Sequence, residues 1–190
     1  MDKKTKTSNN IKVISENTTG ENTISQKTRL LVLTALLFAM ALVLSIIENY
    51  LPVLIPSVPG VKFGLSNIAV MYALFFLKKS QAFAIAALKS LFAMATRGVI
   101  AGLLSFSGGI LSLLIMIVLM CIFGNRISYV LLSITGSIFH NIGQLAAVAL
   151  VYTSLYTFAY FPVLLITGVL AGIATATLLR VIIPALKKLG

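Results

Sequence analysis

The sequence predicts an all-α integral membrane protein with six transmembrane helices and both termini in the cytoplasm. Three observations carry that expectation. Of the 190 residues, 59% are hydrophobic and only 10% charged, whereas about a quarter are charged in a soluble domain. From residue 30 onward, apolar runs long enough to cross a bilayer follow one another with short breaks; a span needs roughly 20 mostly apolar residues. The basic residues then gather at alternate breaks, as the positive-inside rule requires. The runs are continuous rather than alternating, which argues against a β-barrel. A formal net charge of +11 would point to nucleic acid in a soluble protein. In a membrane protein, cytoplasmic loops account for most of it, so the expected partner is the lipid bilayer and not nucleic acid.

Residues 1–27, MDKKTKTSNNIKVISENTTGENTISQK, hold too little apolar surface to fold alone. They read as a disordered cytoplasmic tail ahead of a six-helix domain, 28–190. The tail is too long and polar for the charged start of a signal peptide. The first span runs from Thr28 to Tyr50. Pro52, Pro56 and Pro59, with Gly60 and Gly64, then exclude a regular helix, although the stretch is apolar. The second span, Leu65 to Leu77, is shorter than the roughly 30 Å hydrocarbon layer. The preceding loop fills the missing depth, where irregular backbone is tolerated only if covered or lining a cavity. Residues 51–67 are therefore a candidate wall or lid of a ligand site.

Lys78-Lys79 breaks the chain before the third span, Ser80 to Thr96, and Arg97-Gly98 ends it. The fourth span covers Val99 to Phe123 and turns at Gly124-Asn125-Arg126. The fifth runs from Ser128 to Tyr152; the sixth starts at Pro162 and ends near Pro184. Six spans place Lys27, Arg29, Lys78, Lys79, Arg126, Lys187 and Lys188 on the side of the termini, against Lys62 and Arg97 on the other. That asymmetry puts both termini in the cytoplasm.

The inventory leaves little material for catalysis. The acidic residues are Asp2, Glu16, Glu21 and Glu48, and three of them lie in the tail. Paired carboxylates for magnesium or shared-proton chemistry are not there. One histidine and the single Cys121 cannot make a zinc site alone, and no Walker A, HExxH or CxxC motif occurs. No metal or cofactor is expected, and no enzymatic activity of its own.

The polar residues inside the spans are few. Lys89 sits near the middle of the third span, where a lysine costs about 2.5–3.5 kcal/mol on insertion scales. It either pairs with Glu48 or snorkels, or it contacts an anion in a ligand site. Glu48 and Arg97 end the first and third spans, as anchors or as parts of that site. In Ser137-Ile138-Phe139-His140-Asn141-Ile142-Gly143-Gln144-Leu145, His140 and Gln144 are spaced i, i+4 and Asn141 and Gln144 i, i+3. Two roles fit this trio: hydrogen-bonding glue between helices, or the polar wall of a cavity, with Ser66-Asn67 at the start of the second span as further members. Ala35 and Ala39, Gly98 and Gly102, and Gly168 and Gly172 form small-residue pairs at a spacing that lets helices approach closely.

The stretches TALLFAMALVLSIIENYLP, PGVKFGLSNI, LSFSGGILSLL and FHNIGQL resemble the family called Gx transporter, also labelled heptaprenyl diphosphate synthase component I. The resemblance covers about residues 28–185. The six short spans, the AxxxA pair and the Pro/Gly-rich outer loop also resemble S components, the substrate-binding subunits of energy-coupling-factor transporters. That likeness implies an S-component-like bundle in the cell membrane, with Ala35 and Ala39 against a transmembrane coupling protein, ATPases beneath, and the loop at 51–64 closing over substrate. It leaves the small-molecule ligand unnamed. The two labels imply different functions. Prenyl diphosphate synthases work through aspartate-rich motifs, and this chain has only Asp2. The expectation is a transporter's substrate-binding subunit. The alternatives are a noncatalytic membrane subunit assisting heptaprenyl or polyprenyl diphosphate synthesis, and an anchoring subunit of a membrane redox system.

Overall fold

The computed structural model describes residues 3–50, 64–152, 159 and 161–187, with side chains from Ile24 onward except at 49, 125, 152 and 185–187. Among these residues six α-helices follow in order: α1 (Lys3–Tyr50), α2 (Asn67–Phe76), α3 (Lys79–Arg97), α4 (Val99–Phe123), α5 (Tyr129–Tyr152) and α6 (Phe161–Lys187). A 3₁₀ turn at Gly124–Arg126 joins α4 to α5. Four stretches are long and apolar enough to cross a membrane: Ile24–Glu48, Val99–Phe123, Tyr129–Val151 and Phe161–Pro184. The fold is thus an all-helical bundle of membrane type.

α2 explains how the bundle closes. Its ten residues reach only about 15 Å at 1.5 Å per residue. Residues Asn67 through Leu74 are all buried, because α2 packs against α1, α3, α4 and α6 together. A helix apolar all round is stable only inside others. The core forms here, where Ile68, Ala69 and Ala73 of α2 meet Leu37 and Ala41 of α1, Ile85 of α3, Leu113 of α4 and Leu179 of α6.

α3 is long enough but more polar. Its buried stripe, Ala82, Ile85, Ala86, Lys89, Ser90 and Ala93, follows the i, i+3, i+4, i+7 spacing of one helix face. Lys89 lies on that stripe and so points into the protein. Gly98 alone separates α3 from α4, at φ +93°, a conformation that costs other residues a steric penalty.

Small residues set the spacing of α4, α5 and α6. A Cβ added at Gly143 of α5 would stand 2.9 Å from the Cα of Gly108 on α4, and one at Gly172 of α6 would stand 2.4 Å from the Cα of Ile134 on α5. The hydroxyls of Ser107 and Ser133 donate across the same crossings, to the carbonyls of Gly143 (3.0 Å) and Gly172 (2.7 Å). Of the small-residue pairs singled out in the sequence, Gly172 packs on α5 and Gly102 packs on Met94 of α3. Ala35 and Ala39 instead lie on the exposed face of α1, beside Leu36 and Val43.

Two boundaries differ from the sequence expectation. α6 continues through Pro184 to Lys187; a proline inside a membrane helix is tolerated where neighbouring groups re-satisfy the freed carbonyl. The backbone of α1 is helical from Lys3, within the segment whose composition reads as a disordered tail. Of the proposed wall or lid, residues 51–67, positions 51–63 lie outside the described residues.

Candidate functional site

Alternating helix directions bring the end of α1, the start of α2, the end of α3, the start of α4 and the C-terminal half of α5 to one end of the bundle. A cavity of about 190 Å³ opens there. It is lined by Ser45 and Glu48 from α1, Gly64 and Ser66 ahead of α2, Lys89 and Arg97 from α3, Ala101, Leu104 and Ser105 from α4, and His140 and Gln144 from α5. Five of the seven ligand-site residues expected from the sequence (Glu48, Lys89, Arg97, His140 and Gln144) line this one space.

Each is held by its own element. Lys89 is only 8% exposed, and its Nζ donates to Asn67 Oδ1 at 2.8 Å. Asn67 thus stands behind the lysine and orients it. Glu48 accepts the backbone N–H of Gly64, which fastens the end of α1 to the approach to α2. Gly64 has φ +69° and its carbonyl accepts from the N–H of Asn67 at 2.8 Å, so it turns the chain into the helix. Arg97 is exposed at the rim. His140 is buried against the bare backbone of Gly108: a Cβ there would stand 2.7 Å from the His140 carbonyl and 3.0 Å from its ring. Only glycine at 108 leaves room for the imidazole.

Asn141 does something else. Its Nδ2 donates to the carbonyl of Leu164 on α6 at 2.9 Å, with Gly168 alongside. It lies outside the cavity lining and stitches α5 to α6, so the trio splits: His140 and Gln144 face the cavity and Asn141 is interhelical glue.

The lining also includes Ser45, Ala101, Leu104 and Ser105, which the sequence reading did not select. For one of them the signal was available: Ser45 lies three residues before Glu48 and so shares its helix face, whereas no expected site residue on α4 pointed to the other three. Beneath Lys89 a second void of about 10 Å³ is lined by Asn67, Ser105, Gly109 and Ser112 among others, with room for about one water. Lys89 therefore borders both spaces.

By formal charge, Lys89 and Arg97 against Glu48 leave the lining with one positive charge in excess. Among the described residues no three of His, Cys, Asp and Glu come together to hold a metal ion. The arrangement can hold a small polar molecule bearing negative charge, through one buried ammonium, one guanidinium at the rim, an amide and several hydroxyls. Fold and site together define a helical-bundle protein of membrane type with a polar, electropositive cavity at one end.

The chain belongs to the family described as heptaprenyl diphosphate synthase component I, whose model matches residues 37–182. The match takes in every residue that lines the cavity. No curated protein and no solved structure matches the chain.

Proposed function

We propose that this protein is a membrane substrate-binding subunit of an uptake transporter of the energy-coupling-factor type, without catalysis of its own. Its ligand is a small anionic solute held in the cavity. The observation that carries the reading is Lys89, a buried lysine aimed into a space it shares with Arg97, His140 and Gln144. Ionisable groups at membrane depth face a cavity or a partner and mark solute pathways. Six spans with cytoplasmic termini are part of the proposal, supported by the distribution of basic residues between alternate breaks. So are a transmembrane coupling protein and ATPases as partners. Ala35 and Ala39 support that assembly, since they lie on the outside of α1, where a second membrane protein can approach closely.

A second reading is favoured by the family's description. A synthase component I implies a further component, and the excess positive charge of the cavity also suits a diphosphate. On that reading the protein assists heptaprenyl diphosphate synthesis as a noncatalytic membrane subunit. Co-purification from native membranes under mild detergent separates the two. Recovery of a coupling protein with ATPases supports the transporter subunit; recovery of a soluble prenyltransferase in their place overturns it in favour of the second reading.

A further inference from the structure

A second concave site lies at the opposite end of the bundle, between α1 and α2. It is a groove of about 360 Å³ lined by Gln26, Arg29, Leu30, Leu33, Tyr72, Phe76 and Leu77. α1 packs on α2 and α3, and α2 reaches across to α6, so the groove lies along the flank of α1 and not inside the bundle.

Its lining is ordered by polarity along the helix axis. Gln26 and Arg29 stand near Ile24, where the apolar span begins, and Lys27 is exposed beside them. Leu30 and Leu33 follow towards the middle of the span, facing Phe76 and Leu77. From Gln26 to Leu33 the rise is about 10 Å at 1.5 Å per residue. Over that distance the α1 side of the wall changes from guanidinium and amide to hydrocarbon. Among the described residues no acidic side chain lines it.

We propose that this groove binds one anionic phospholipid, with its phosphate on Arg29 and Gln26 and the upper part of an acyl chain along Leu30, Leu33 and Phe76. A guanidinium presents several donors to phosphate oxygens in a planar fork. Basic pockets between membrane helices at the headgroup level are suited to such headgroups. The charge matches the headgroup, and the polar-to-apolar order matches the direction in which a lipid enters from its leaflet. The site is separate from the cavity around Lys89 and does not depend on what that cavity holds.

The test uses the full chain, delipidated in detergent and titrated with phosphatidylglycerol or phosphatidylcholine, with bound lipid counted by native mass spectrometry. The wild-type chain retains one phosphatidylglycerol in preference to phosphatidylcholine. Arg29→Gln reduces that preference about five-fold, the equivalent of roughly 1 kcal/mol for one basic side chain at a membrane surface. Leu33→Trp, which fills the groove, lowers retention of both lipids. Arg126→Gln, outside the groove, leaves the preference unchanged. Equal retention of the two lipids by the wild type overturns the proposal. So does an equal loss from Arg126→Gln and Arg29→Gln, which makes the effect bulk charge. A delipidated chain that dimerises, with Leu33→Trp restoring the monomer, assigns the groove to a second copy and also overturns it.

Discussion

Replacing Lys89 by Met separates binding from packing at the centre of the cavity. Methionine keeps the length of the stem and removes the charge. Two stability terms oppose each other. On the proposed six-span topology, removing a lysine from the middle of α3 returns about 2.5–3.5 kcal/mol on insertion scales. Losing the charge-assisted bond to Asn67 Oδ1, 2.8 Å long, costs about 1.5–3 kcal/mol. The terms nearly cancel, and Asn67 borders the small void beneath, from which a water can replace the ammonium. The expected change in stability is within about 1 kcal/mol, or roughly 2–4 °C in melting temperature for a chain of this size. Binding has no such compensation: an anion loses a charge-assisted bond worth about 1.5–3 kcal/mol, a ten- to hundredfold loss of affinity. Thermal unfolding in detergent, paired with mass spectrometry of retained small anions, reads both quantities on one preparation. A fall of more than about 10 °C with retention intact would refute the reasoning and make Lys89 a stitch between α2 and α3.

Asn141→Leu removes the bond to the Leu164 carbonyl and is expected to lower stability by about 0.6 kcal/mol, and at most about 1.7, with ligand retention unchanged; a melting curve and a retention assay check it. Gly172→Ala drives a methyl into the backbone of Ile134; an overpacking penalty of about 1–3 kcal/mol is expected in the same melting assay, and wild-type stability would show that the crossing relaxes freely. Ala39→Leu adds bulk to an exposed face of α1, so folding should be unaffected while recovery of a membrane partner in pull-downs falls; normal recovery would remove this face from the proposed docking surface.

The helices were legible because apolar runs and breaks are one-dimensional signals. Lys78, Gly98 and Gly124 mark the boundaries of α3 and α4, and those two helices end within a residue or two of the expected positions. The short second helix was also readable, but its central place was not. Nothing in NIAVMYALFF says that four other helices surround it; that follows from the packing of the whole bundle. The cavity was half legible. Rare polar residues in apolar runs pointed to Glu48, Lys89, Arg97, His140 and Gln144, which converge. His140 and Asn141 are adjacent, however, and adjacent residues on a helix point about 100° apart. Whether each faces α4 or α6 depends on where Gly108 and Gly168 open space, and that is a tertiary fact. Ser45, Ser105 and Ala101 were passed over because small residues in membrane helices serve close packing as often as they line cavities.

The account rests on the cavity holding a small anion, and a cavity-filling variant tests that most directly. Ala101 lines the space and is partly exposed, so Ala101→Trp should occupy the cavity without opening the core. Wild-type protein and this variant are purified from native membranes in mild detergent, and their small-molecule content is compared by mass spectrometry per mole of folded chain. The account predicts one anionic solute, near stoichiometric on the wild type and absent from Ala101→Trp. The same solute at the same level on both proteins, or none on the wild type, contradicts it.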